Sequence, residues 1–175
     1  MTRIRYRVAM SLDGYIAGPD GEFDWIVHDP EIDFNALFAQ FDTFLVGRRT
    51  YELMTKPGSP GLPAGSRVFV FSRTLEATPP GTEVVREVSP AAIARIRAQA
   101  QKDIWLFGGG QLFRSLLSQG LVDSVEVAIS PVVLGDGLQL LPGPAPQAKL
   151  RLTSYRVYAS GIVLLEYAVT AQVEA

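Results

Sequence analysis

The chain has 175 residues, of which 47% are hydrophobic and 19% are charged, a composition typical of a folded globular domain. Its formal net charge of −2 lacks the basic excess of nucleic-acid-binding proteins, so no nucleic-acid partner is expected. The absence of cysteine and the presence of a single histidine exclude disulfides, a cysteine nucleophile and a multi-histidine metal site. We therefore expect a single domain spanning residues 1–175, without a metal.

Neither a membrane segment nor a targeting segment is expected. No apolar run approaches the length that crosses a bilayer, and arginines interrupt the apolar residues of segment 1–18 where a signal peptide would keep them apart. The expectation is a cytoplasmic protein with no membrane partner.

The first half of the chain alternates strand and helix patterns. Apolar residues predict strands over Arg3–Ala9, Thr43–Val46 and Arg67–Phe71. Asp13-Gly14 predicts a turn after the first strand. Four apolar residues at helical spacing predict an amphipathic helix over Glu31–Phe41.

The second half continues this alternation. Ser89-Pro90 is typical of a helix start, with serine as the N-cap and proline at the first helical position. A strand over Ile104–Phe107, a helix over Gln111–Ser118 and a strand over Ser124–Ile129 follow. Two closing strands, Leu150–Val157 and Ile162–Val169, have no helix between them. The pattern predicts an α/β fold with a mostly parallel sheet and an antiparallel C-terminal edge.

Ligands of such sheets bind beyond the carboxyl ends of the strands. This places the expected chemistry after the predicted strand ends at Ala9, Gly47, Ser72 and Gly108. The glycines between strand and helix at 108–110 would let backbone N–H groups approach a phosphate. A tight turn without a ligand is an equally good interpretation of these glycines.

The two neighbouring strand ends carry groups that suit phosphate oxygens. Arg48, Arg49 and Thr50 follow the strand that ends at Gly47, and Ser72 and Arg73 follow the next strand. Alone, each segment could be an ordinary polar turn, with the arginines paired to Glu52 or Glu76. Three consecutive strand ends with phosphate-compatible groups favour a dinucleotide bound along this edge of the sheet.

Candidate substrate and proton-transfer residues lie around the first helix. Asp33 borders the apolar stripe, where partial burial would raise its pKa and suit it to proton transfer. N-capping of the helix is an equally good interpretation of Asp33. Trp25 and Phe34 are candidate substrate contacts, although a half-buried core tryptophan is equally common.

Several motifs together resemble the dihydrofolate reductase superfamily, and more narrowly the C-terminal reductase domain of the riboflavin-biosynthesis protein RibD. They are VAMSLDGYIAG (8–18), FDWI (23–26), FLVGRRTYE (44–52), FSR (71–73) and the long segment IWLFGGGQLFRSLLSQGLVDSVEVAISPVVLGDG (104–137). The resemblance implies an NADPH-dependent reductase of a dihydrofolate reductase-like, three-layer α/β/α fold. In this superfamily the matching glycine pair often has a cis peptide bond, so one is expected between Gly108 and Gly109.

The resemblance also implies roles for individual residues in cofactor binding. Ala9 and Ile16 would face the nicotinamide. The adenosine 2′-phosphate and the pyrophosphate would be held by Arg48, Arg49, Thr50, Ser72 and Arg73. Gly47 would also belong to the cofactor site. The pyrophosphate and adjacent ribose would be supported by Gly108, Gly109, Gly110, Gln111 and Leu112.

The substrate stays open because the chain departs from both known patterns. Gln111 and Phe113 stand where dihydrofolate reductases usually carry arginine and tyrosine, and the segment TYELMTKPG (50–58) lacks the acidic pair of RibD-type reductases. The activity implied is hydride transfer to a C=N or C=O group of a small heterocyclic or sugar-type substrate, similar to 5-amino-6-(5-phosphoribosylamino)uracil reductase. The alternatives are a dihydrofolate or pterin reductase and a non-catalytic nucleotide-binding protein of the same fold.

A homodimer is the expected assembly. Leu138, Leu140 and Leu141 follow a predicted strand, and an exposed apolar segment there would need to be covered. The resemblance to RibD-like proteins also implies pairing through this half of the domain.

Overall fold

A computed structural model describes residues 2–59, 61–76, 78–145 and 147–172. Of Ala171 and Gln172 it describes the backbone alone. The strands in chain order are β1 (Ile4–Ser11), β2 (Tyr15–Ala17), β3 (Phe41–Gly47), β4 (Arg67–Phe71), β5 (Thr82–Val85), β6 (Asp103–Gly108), β7 (Ser124–Ser130), β8 (Leu138–Gln139), β9 (Ala148–Val157) and β10 (Val163–Gln172). The helices are α1 (Phe34–Phe38), α2 (Arg48–Met54), α3 (Pro90–Gln99) and α4 (Gly110–Leu117).

Eight of the strands form one sheet in the order β5-β4-β3-β6-β1-β7-β10-β9, and β2 pairs separately with β8. All contacts from β5 to β7 are parallel, whereas β10 runs antiparallel to both β7 and β9. This confirms the mostly parallel sheet with an antiparallel C-terminal edge. Strands β3 and β6 are neighbours, but β3 is followed by β4 on one side and β6 is followed by β7 on the other. The strand order therefore reverses between β3 and β6, which creates a switch point there.

Helices cover both faces of the sheet, which confirms the three-layer arrangement. Ile93 and Ile96 of α3 and Leu116 of α4 join the largest core cluster on one face, with alternate residues of β1, β3, β6 and β7. On the other face, Leu37 of α1 packs with an aromatic cluster that includes Trp105. Within the described ranges, no helix is long and apolar enough to cross a membrane.

Side-chain caps mark the starts of α1 and α3. Ser89 accepts a hydrogen bond from the backbone N–H of Ala92, so the expected start of α3 is confirmed. The helix expected over Glu31–Phe41 is shorter, because Asp33 caps its start and Phe41 already belongs to β3, where it pairs with Asp103. The edge strand β5 had no clear periodic signal, since it has four residues and follows a proline-rich turn.

A buried ion pair lies under the α1 side of the sheet. Arg5 of β1 donates from Nε and Nη2 to the two carboxylate oxygens of Glu126 on β7, at 2.6 and 2.8 Å. Arg7 adds a contact of 3.0 Å to the same carboxylate and reaches Glu166 on β10 at 3.4 Å. These contacts tie three adjacent strands together where an apolar layer would otherwise be expected.

Candidate nucleotide site

The site is built at the switch point, where the ends of β3 and β6 come close together. A Cβ added at Gly47 would lie 3.7 Å from both the carbonyl oxygen of Gly108 and the nitrogen of Gly109. Gly108 has a φ of 155°, in a region that favours glycine. The peptide bond between Gly108 and Gly109 is cis, which confirms that expectation.

A cleft of about 880 Å³ opens along this edge of the sheet. Most of the expected cofactor residues line it, namely Ile16, Gly47, Arg48, Arg49, Thr50, Ser72, Arg73, Gly109, Gly110, Gln111 and Leu112. Two others, Ala9 and Gly108, lie in the adjoining strands β1 and β6 rather than in its wall. Residues from distant parts of the sequence therefore meet in one cavity, although their binding roles remain predictions.

The charged lining of the cleft is predominantly basic. Among the described residues, four basic side chains line it and only one carboxylate, that of Glu87. The four are Arg48, Arg49, Arg73 and Arg86. The local charge is thus opposite in sign to the −2 of the whole chain. Converging guanidinium groups are well suited to phosphate oxygens.

The arginine beside the first strand end is partly engaged by its neighbours. Arg48 donates from Nη1 to the hydroxyl of Thr74 at 2.8 Å and forms an exposed pair with Glu52 at 3.4 Å. The expected alternative of an Arg48–Glu52 pair is therefore present, but both side chains are about half exposed, so the pair contributes little stability. The Thr74 contact links the turn after β4 to the start of α2.

The turn after β4 is held from two sides. The hydroxyl of Ser72 accepts hydrogen bonds from the backbone N–H groups of Thr74 and Leu75, at 3.3 and 3.0 Å. Arg86 donates from Nη1 to the carbonyl oxygens of Ser72 and Leu75, at 3.3 and 2.7 Å. The sequence did not point to Arg86 as a residue of the site, because Arg86 follows β5, a strand that the sequence did not predict. Its basic charge was the only feature that could have indicated it.

Helix α4 presents an uncapped N-terminus to the cleft. Its N-cap, Gly109, provides no side-chain acceptor, and the backbone N–H groups of Gly110 and Gln111 have no hydrogen-bond partner among the described residues. Both residues line the cleft. Free N–H groups at the positive end of a helix dipole favour an anion at this position.

The opposite wall is a segment formed by residues 138–142, which packs closely against the start of α4. The backbone N–H of Leu140 donates to the carbonyl of Gly14 at 2.9 Å, and β8 pairs with β2 beside Ile16. Asp13 fixes the preceding loop by accepting from the backbone N–H groups of Leu134 and Gly135, at 3.1 and 2.7 Å. Together with a hydrogen bond from Ser11, these contacts lower the pKa of Asp13 to about 2.

The candidate proton donor occupies a different environment from the one expected. Asp33 is exposed, and its carboxylate accepts a hydrogen bond from the backbone N–H of Ala36 at 3.0 Å. The expected partial burial is therefore wrong, since α1 begins at Phe34 and leaves Asp33 outside the helix as its N-cap. Its catalytic role remains a prediction.

The candidate substrate residues lie outside the cleft wall. Trp25 is partly buried and donates from Nε1 to the carbonyl of Glu22 at 3.2 Å. Phe34 opens α1 with 47% of its surface exposed. Their contact with a substrate stays a prediction.

The fold and the cleft define a dihydrofolate reductase-like α/β protein with a phosphate-compatible edge. The sequence profile of the RibD C-terminal domain matches residues 2–164, and the chain belongs to that family. It is similar to the uncharacterized protein YyaP of Bacillus subtilis, with 32% identity over 94% of each chain. It is also 24% identical to the riboflavin biosynthesis protein RibD of Corynebacterium ammoniagenes, over 81% of this chain and 46% of that protein.

Solved structures agree with this assignment. A Shewanella sp. PV-4 protein attributed to riboflavin biosynthesis superimposes with a TM-score of 0.83 at 25% identity, covering 98% of this chain and all of that chain. A pyrimidine reductase-like protein from Corynebacterium diphtheriae has a TM-score of 0.73 at 18% identity, covering 97% of this chain and 92% of that chain. The second likeness concerns the fold alone.

Proposed function

We propose that this protein is an NADPH-dependent reductase that transfers hydride to a C=N or C=O group of a small heterocyclic or sugar-type substrate. The observation that carries the proposal is the convergence of three loops and the uncapped start of α4 on one basic cleft. Membership of the RibD C-terminal domain family supports the same class of reaction.

The donors of the cleft fit the anionic parts of NADPH. Free backbone N–H groups at Gly110 and Gln111 suit the pyrophosphate, because they have no competing acceptor among the described residues. Arg73 is exposed beside Ser72 and makes no hydrogen bond or ion pair with another described residue, so its guanidinium is available to a 2′-phosphate. NADPH would supply the hydride; the protein supplies binding, orientation and a positive field.

Cofactor discrimination tests the proposal directly. NADPH differs from NADH by the 2′-phosphate, so Arg73→Ala should weaken NADPH binding about 10- to 100-fold and leave NADH binding nearly unchanged. Isothermal titration with both cofactors measures this difference. Arg95→Ala is the matched control, because Arg95 lies on α3 paired with Glu83 outside the cleft wall. Equal losses for the two cofactors would contradict the assignment of Arg73.

A non-catalytic nucleotide-binding protein is the second candidate, favoured by one observation. The only acid singled out for proton transfer, Asp33, is exposed and already serves as a helix cap. NADPH oxidation with a panel of pterins, pyrimidine flavin precursors and small carbonyl compounds separates the two candidates. A reductase consumes NADPH with one of these classes, and Asp33→Asn then tests the proton donor through the pH profile of kcat.

A further inference from the structure

Three neighbouring strands end in one row at the edge of the sheet that carries the cleft. In the parallel pairing of β3, β4 and β5, Gly47 pairs with Phe71, and Phe71 pairs with Val85. The residues that follow these three in the chain form the next row, and all of them are polar, namely Arg48, Ser72 and Arg86. Parallel pairing thus brings together polar groups that are distant in the sequence.

The turn that follows β4 is the centre of this row. The buried hydroxyl of Ser72 accepts hydrogen bonds from two backbone N–H groups of the turn, those of Thr74 and Leu75. Arg86 donates from Nη1 to the carbonyl oxygens at both ends of the same turn, at 3.3 Å to Ser72 and 2.7 Å to Leu75. A hydroxyl therefore holds the amide groups of the turn, and a guanidinium holds its carbonyl groups.

The turn also restrains the arginine at the end of β3. The hydroxyl of Thr74 accepts from Nη1 of Arg48 at 2.8 Å, and the Nε of Arg48 faces a carboxylate oxygen of Glu52 at 3.4 Å. Contacts to two different nitrogens fix the plane of the guanidinium, while Nη2 has no partner among the described residues. A guanidinium binds a phosphate through two N–H groups only when its plane is correctly oriented.

The residue that restrains Arg48 does not itself line the cleft. Arg48 and Arg73 belong to the cleft wall, whereas Thr74 lies outside it. Arg73 is the residue between Ser72 and Thr74, so the same turn carries the second arginine. One turn thus connects both arginines to the end of β5.

We propose that Thr74 and Arg86 are positioning residues, which hold Arg48 and Arg73 in a fixed arrangement for one phosphate monoester. Such a group carries a charge of about −2 and three acceptor oxygens, so two oriented guanidinium groups suit it. Restraint before binding reduces the conformational entropy that long arginine side chains lose on binding. The identification of this group as the 2′-phosphate of NADPH rests on the proposed function, whereas the contacts themselves do not.

Isothermal titration of the full chain with NADPH and with NADH tests the role of Thr74. Thr74→Val removes the acceptor of Arg48 without changing any charge, so it should lower the preference for NADPH about tenfold and leave NADH binding nearly unchanged. The matched control is Thr78→Val, because Thr78 donates instead to the carbonyl of Thr82, at 2.9 Å. The control should keep the preference of the wild type. Circular dichroism establishes that both variants are folded.

A double-mutant cycle with Arg48→Ala separates positioning from direct contact. If Thr74 acts through Arg48, adding Thr74→Val to Arg48→Ala should change the cofactor preference less than about twofold. Full additivity would mean that Thr74 contacts the phosphate itself, which would overturn its positioning role. A wild type that prefers NADPH, with a Thr74→Val variant that retains the whole preference, would overturn this inference alone. A wild type without a preference for NADPH would overturn the proposed cofactor as well.

Hydrogen exchange measured by NMR tests the role of Arg86 without any cofactor. The backbone N–H of Leu75 donates to Ser72 within the turn that Arg86 holds. Arg86→Ala should therefore speed the exchange of this N–H at least about tenfold, because the turn opens more often. Arg95→Ala, which alters a pair with Glu83 outside the cleft wall, should leave the exchange rate unchanged. An unchanged rate in Arg86→Ala would overturn its positioning role.

Direct phosphate contact is the alternative role of Arg86, because its side chain also lines the cleft. A positioning residue that acts through the turn should lose most of its effect once Thr74 no longer holds Arg48. Arg86→Ala should therefore lower the preference for NADPH less in the Thr74→Val background than in the wild type. Equal losses in the two backgrounds would assign Arg86 to the phosphate itself and overturn the inference for this residue.

Discussion

The close approach of segment 138–142 to the start of α4 makes Gly110 a sensitive position. A Cβ added there would lie 2.5 Å from the carbonyl oxygen of Gln139, 2.7 Å from Cδ of Pro142 and 3.0 Å from the carbonyl oxygen of Leu140. Two of these three atoms belong to the backbone, so a side-chain rotation cannot relieve the overlap. Gly110→Ala therefore requires the segment or the first turn of α4 to move.

The expected cost follows from these distances. The shortest contact is about 0.9 Å inside the 3.4 Å at which ordinary contact begins. Overpacking of this kind costs about 1–3 kcal/mol, and the higher helix propensity of alanine offsets at most about 1 kcal/mol. We expect Gly110→Ala to lower the free energy of unfolding by about 1–2 kcal/mol. Displacement of Gln139, which lines the cleft, should also weaken the proposed NADPH binding.

Urea unfolding at neutral pH, followed by circular dichroism, measures this loss as a lower midpoint with an unchanged m-value. Gly143→Ala is the matched control in the same region, because a Cβ at Gly143 would meet no atom within 4 Å. The control should be neutral or slightly stabilising. If Gly110→Ala unfolds at the same midpoint as the wild type, the described packing of the segment against α4 is wrong.

Two further predictions concern charged groups, and both are measured by urea unfolding. Glu126→Ala leaves the buried guanidinium of Arg5 without its bidentate partner and should cost about 3–5 kcal/mol, whereas Glu83→Ala, which breaks a half-exposed pair, should cost less than about 1 kcal/mol. The pKa of Asp13 is lowered from 3.8 to about 2, so the stability that its carboxylate contributes is present above about pH 4 and is lost as the pH falls toward 2. The stability difference between wild type and Asp13→Asn should therefore narrow over that interval, and a constant difference would contradict the role of the carboxylate.

Local patterns were sufficient for most elements and for the edge that carries the candidate site. Ser89-Pro90 predicted the start of α3, because an N-cap and a first-turn proline act within a few residues of the chain. Strand ends at Gly47 and Phe71 were visible from short apolar runs. Once parallel pairing is assumed, such ends must meet at one edge, so the convergence of the 48–50 and 72–73 segments followed from the sequence.

Other features depended on contacts between distant residues. The sequence left open whether Asp33 is a partly buried acid or a helix cap. In the structure Leu37 of α1 packs with Phe44 and Trp105, and Asp33 stays exposed as the N-cap. Arg86 acquired its position through β5, a four-residue strand that pairs with β4 at the sheet edge.

The edge strand β9 shows the same division most clearly. The sequence by itself determined that β9 alternates apolar and basic residues, because that period of two is a local property of the strand. Which strands β9 joins, and that the helical layer stops short of it, depended on the order β7-β10-β9. Burial is a property of the neighbours that the fold brings to a residue, so the tertiary structure alone decided that these apolar side chains face solvent.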